Sequence, residues 1–162
     1  MNIKRINEAC ILFWIIMLYG CTQNIAVEDF SSIPGNEVLV FGKINILSEK
    51  EIPAFSVHVE SASEENDMIS RVENDKYFFW HLKPGKYKIT YFQFYGFVRI
   101  WVDFEVENES PVMYIGNLEA TPEVLSKVVI KNEFLNAKKE LDKKYNKSIE
   151  NISISIMTRK KI

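Results

Sequence analysis

Few residues of this 162-residue chain are ready for chemistry. There are two cysteines, Cys10 and Cys21, both near the start, and their spacing fits neither a metal site nor a redox pair. There are two histidines, His58 and His81, and neither stands at metal-ligand spacing with a partner. Glycine-rich phosphate loops, nucleophile elbows and metalloprotease helices are missing as well. The acidic run Glu64-Glu65-Asn66-Asp67 lacks the glycine and spacing of a calcium loop and reads as solvated. Neither charge sign dominates. A formal net charge of −2 excludes the broad basic field that recruits nucleic acid. No apolar run is long enough to span a bilayer, which takes about 20 residues. The expectation is a protein with no enzymatic activity and no cofactor.

What the chain does have begins at its N-terminus. Lys4 and Arg5 form a short positive segment, and an apolar run follows from Ala9 to Tyr19. That length suits the core of an export signal. The run ends in Leu18-Tyr19-Gly20-Cys21. This tetrapeptide resembles the lipobox of bacterial lipoproteins, with Leu three residues before the cut, a small residue at the cut, and cysteine after it. Tyr19 departs from the small residue usual at its position. The resemblance implies cleavage between Gly20 and Cys21, and a diacylglycerol on the Cys21 thiol. Two or three acyl chains would anchor the protein firmly to a lipid membrane. The predicted location is the bacterial cell envelope, and Thr22 after the cysteine favours the outer membrane where there are two. Residues 1–20 are then the signal and residues 21–36, which show no period and end at Pro34-Gly35-Asn36, a tether.

Period-two alternation dominates the rest. Val38, Val40, Gly42, Ile44 and Ile46 share one face of a strand, with Leu39 and Phe41 on the other. Phe55, Val57 and Val59 repeat the pattern. Tyr77 to Trp80 is a run of strand formers, and Lys83-Pro84-Gly85-Lys86 suits a type II turn into a returning strand over Lys86–Tyr95. Val98, Ile100, Val102, Phe104 and Val106 alternate most cleanly, and Val112–Leu118 is a further strand. Lys127–Ile130 suits a strand better than a helix. A helix follows, capped at Asn132, with Glu133 in its first turn and Phe134, Ala137, Leu141 and Tyr145 on one face. Ile152, Ile154 and Ile156 suggest a last strand.

About seven closely spaced strands predict a mainly β fold: an antiparallel Greek-key β-sandwich over residues 37–118. Residues 119–162 would add a strand-helix-strand extension with the C-terminal α-helix. The segment Asn74-Asp75-Lys76-Tyr77-Phe78-Phe79-Trp80-His81-Leu82-Lys83-Pro84-Gly85-Lys86-Tyr87-Lys88-Ile89 resembles the hairpin of carboxypeptidase-regulatory-like, transthyretin-type domains. Lys76 stands where that family often has glycine. The resemblance implies a sandwich and is nearly silent on activity.

Phe92, Phe94 and Trp101 fall opposite the apolar stripes. Exposed, they would form a platform for a sugar ring or a partner protein; otherwise both faces of this part of the sheet are covered, one by the second sheet and one by the C-terminal helix. The leading expectation is a structural or protein-interaction module of the envelope. The alternatives are a carbohydrate or small-ligand module using those aromatics, and an accessory subunit of an envelope enzyme. Each has its own sign: exposed, coplanar Phe94 and Trp101 for the former, a concave polar pocket for the latter.

Overall fold

A computed structural model describes residues 23–29, 31, 33–63, 67–122 and 127–159. The signal segment, Gly20 and Cys21 lie outside these, as do Glu64, Glu65, Asn66, Lys160 and Lys161. The described residues form eleven strands and one helix in two packed sheets, the expected sandwich. In chain order the elements are β1 (Gln23–Asn24), β2 (Val38–Ile46), β3 (Ala54–Ser61), β4 (Met68–Glu73), β5 (Lys76–Leu82), β6 (Gly85–Gln93), β7 (Phe97–Val106), β8 (Val112–Thr121), β9 (Lys127–Lys131), α1 (Phe134–Tyr145), β10 (Ile152–Ile154) and β11 (Thr158–Arg159). One sheet has six strands in the order β1-β4-β3-β6-β7-β11. The other has the order β10-β8-β2-β5, with β9 also on β8.

The alternating residues meet between the sheets. Val38, Val40, Ile44 and Ile46 of β2 face Phe55, Val57 and Val59 of β3, with Val102, Phe104 and Val106 of β7 in the same core. Leu39 and Phe41 point the other way, into a second core where Ala137 and Leu141 of α1 cover them. Further along that face Lys43 and Asn45 are only half-buried.

Three pairings are parallel: β1 with β4, β2 with β8, and β10 with β8. The sandwich is therefore not antiparallel throughout. The long crossover that the β2–β8 pair needs runs through β3, β4, β6 and β7 of the opposite sheet, with β5 returning to pair with β2.

The Pro84-Gly85 segment departs from the expected hairpin. β5 pairs with β2, and β6 pairs with β3 and β7, so the chain changes sheets at Lys83-Pro84. Gly85 has φ 158°, extended rather than near the 80° of a type II turn. The Tyr87 hydroxyl donates to the Lys83 carbonyl at 2.7 Å and ties the crossover down.

Gln23–Val27, part of the expected tether, belongs to the fold. Gln23 and Asn24 pair with Met68 and Ile69 at the edge of the six-stranded sheet. Ile25 is fully buried in the main core. Ala26 then bridges Trp80, the Val27 amide donates to the Phe79 carbonyl at 2.9 Å, and the His81 amide donates to the Ile25 carbonyl at 3.0 Å. One short segment thus laces the β4 edge of one sheet to the β5 edge of the other.

Candidate functional site

The helix covers only the second sheet, packing Ala137 and Leu141 on Leu39, Phe41 and Tyr114. The expectation that it also covers the β6–β7 region is corrected by this placement. The outer face of the six-stranded sheet is built by register into rows across the strands. Arg71, Ser56, Gln93 and Phe97 form one row, and Ile69, His58, Tyr91 and Arg99 the next. Glu60, Lys88, Asp103 and Thr158 form a third, and Lys86 lies opposite Glu105 below it.

These rows differ in chemistry. In the lower two, opposite charges stand directly across from one another, so the face is neutralised by its own register. The upper two combine arginine with aromatic and aliphatic side chains. Tyr91 packs edge-on against Phe97, ring centres 5.5 Å apart, and stacks on the His58 ring at 3.9 Å. Burial pushes the Tyr91 phenol above its usual pKa, with the Asp67 and Glu60 carboxylates adding to the effect. His58 is 7% exposed and both its ring nitrogens lack a hydrogen-bond partner. At the hairpin end, Tyr95 is 78% and Phe97 70% exposed. A cleft of about 370 Å³ lies beside them, lined by Ser56, Arg71, Gln93, Phe94 and Tyr95 among others.

The aromatics expected here divide differently. Phe92 is fully buried against Phe55 in the core and is removed from any platform. The reason is a bulge. Between His58 and Val59 of β3, β6 advances from Tyr91 to Ile89, so Thr90 is an extra residue and the strand's facing flips. Ile89 and Phe92 both point inward, and Tyr91 and Gln93 point outward. β7 in turn sets Ile100 and Trp101 against Thr90 alone. Trp101 takes φ 62°, strained for a bulky side chain. Phe94 and Trp101 are each half-buried, and Phe94 packs against the main core. The sequence carried a sign of the flip: the polar positions of β6 run Lys86, Lys88 and then Gln93, changing parity once.

A second polar region lies between α1 and β5. A groove of about 790 Å³ holds Lys43, Lys76, Lys139 and Lys144 around Tyr77 and Phe79. Lys43 pairs with Asp75 at 2.9 Å, and the Lys144 ammonium lies 4.8 Å from the centre of the Phe79 ring. Beneath it runs a hydrogen-bonded chain. The Tyr114 hydroxyl donates to Asn117 Oδ1 at 3.1 Å and accepts from the Glu133 amide at 3.0 Å. Asn117 Nδ2 donates to the Glu133 carboxylate at 2.8 Å. Glu133, expected in the first turn, is the N-cap residue of α1, and Asn132 Oδ1 accepts from the Phe134 amide instead. The chain fixes the helix on the sheet.

His81 bonds through Nδ1 to Glu37, and no hydroxyl or thiol among the described residues joins that pair. Among the described residues no three His, Cys, Asp or Glu side chains gather to hold a metal, and no helix is long and apolar enough to cross a membrane. Compared with family models, curated proteins and solved structures, the chain has no match.

Proposed function

We propose that this is an envelope lipoprotein, acylated on Cys21, whose transthyretin-type sandwich acts without catalysis as a protein-interaction module. The observation that carries the interaction role is the outer face of the six-stranded sheet, which the helix leaves uncovered among the described residues and where Arg71, Tyr91, Phe97 and Arg99 lie in adjacent rows. Tyrosine, phenylalanine and arginine are enriched at protein interfaces, and lysine and glutamate are depleted. The upper rows contain the first set and neither of the second. The lipobox supports the anchor.

The test joins both parts. Envelope membranes carrying the chain are labelled with palmitate, and partners are captured by affinity. Wild type is expected to take up label and retain a partner protein. Cys21→Ser is expected to lose the label. Tyr91→Ala with Phe97→Ala is expected to keep the label and lose at least about tenfold in capture, as the loss of a hot spot does. Unlabelled wild type overturns the anchor, and undiminished capture by the double variant overturns the face.

A further inference from the structure

Acylation would join the lipid to a structural strand with almost no slack. Only Thr22 separates Cys21 from Gln23, which is already paired with Met68. Two extended residues span at most about 7 Å. From Gln23 the chain is fixed at every step: to β4 by pairing, into the core by Ile25, and to β5 through Ala26 and Val27. We infer that the acylated protein is held against the bilayer by the β1–β4 corner of its six-stranded sheet and directs the Phe94–Phe97 hairpin away from the lipid. The inference rests on the proposed acylation of Cys21.

The corner and the hairpin are diagonally opposed. β1 runs parallel to β4, so the chain before Gln23 heads toward the β3–β4 connection. Gln23 is level with Met68, Val59 and Ile89. Gln93, at the base of the hairpin, is further along β6 and three strands away. With Thr90 bulged out, three paired positions at about 3.3 Å and three spacings of about 4.8 Å separate the two by roughly 17 Å, with the hairpin tip beyond. Aromatic side chains such as Tyr95 and Phe97 are at home at a membrane interface, but this anchor holds them on the far side. They are therefore left for a partner.

The experiment places one fluorophore on the full, acylated protein in phosphatidylethanolamine–phosphatidylglycerol vesicles that contain a headgroup quencher. Ser63→Cys puts it in the β3–β4 connection, and Gly96→Cys at the hairpin tip, where an added side chain meets nothing within 4 Å. Quenching several-fold stronger at position 63 is expected. Inserting twelve Gly/Ser residues after Thr22 is expected to erase that difference. Equal quenching without the insertion, or stronger quenching at position 96, overturns the orientation. A protein that takes up no palmitate and stays off the vesicles overturns the anchor on which it rests, a result distinct from equal quenching.

Discussion

Gly42 and Gly116 meet where β2 and β8 run side by side. A Cβ on Gly42 would stand 2.4 Å from the Gly116 carbonyl oxygen, which is backbone and cannot rotate away. Gly116 itself sits at φ 100°, in the region that favours glycine. Together they form a bulge that turns Asn117 under the helix, because the β2–β8 register slips between Phe41 and Lys43. Gly42→Ala is expected to lower stability by about 1–3 kcal/mol through overpacking. Gly96→Ala, in open space, is expected to stay within about 0.5 kcal/mol. Urea denaturation compares the two. A second residue-scale test lies in the core, where Trp80 Nε1 donates to Ser70 Oγ at 2.9 Å. Ser70→Ala leaves a buried indole N–H unpaired and is expected to cost about 1–3 kcal/mol in the same assay.

At the scale of elements, long alternation was legible and face changes were not. β2, β7 and α1 lie within a residue or two of where their periods put them. β4 was missed because Met68-Ile69-Ser70-Arg71-Val72-Glu73 is short and has Ile69 outward, which blurs its alternation. Phe92 left the expected aromatic face for the reason given by Thr90: one extra residue exchanges inward and outward for all that follows. Turn chemistry marked Pro84-Gly85 as a break but does not encode which sheet the chain enters next. Tyr114 shows how sheet and helix depend on one another. Its phenol is pushed up to about 12, chiefly by burial. An unfolded tyrosine ionises near 10. Between those values the folded state keeps a proton that the unfolded state has lost, so the contribution is whole below pH 10 and drains as pH rises through 12. Tyr145 is shifted the same way, also to about 12. Stability from urea melts is therefore expected to fall steadily above pH 10. Tyr114→Phe should flatten that fall, as its partners stay but the ionisable group is gone. An unchanged slope in Tyr114→Phe would assign the alkaline loss elsewhere.

Taken whole, the molecule has a different boundary from the one its sequence suggests. Composition and the Pro34-Gly35-Asn36 breaker place the start of the domain at residue 37. The apolar residues of the preceding stretch, Ile25 and Val27, are too few to show a period, and their partners are distant in sequence. Yet both are buried, one in each core. Without them the β4 and β5 edges would be open together along one side, a ready template for pairing between chains. A chain beginning at residue 23 is expected to fold and remain monomeric. One beginning at residue 37 is expected to lose on the order of 4 kcal/mol, from two buried aliphatic side chains at roughly 1.5–3 kcal/mol each. It should also elute as oligomers at high concentration. Urea midpoints and size-exclusion profiles decide this. Matching midpoints would mean that the strap only rests on a complete sandwich, and the short connection from Cys21 would then act as a loose leash rather than a fixed mount. A large difference would make the segment beside the proposed lipid a structural strand, so that tension on the anchor bears directly on the seam between the two sheets.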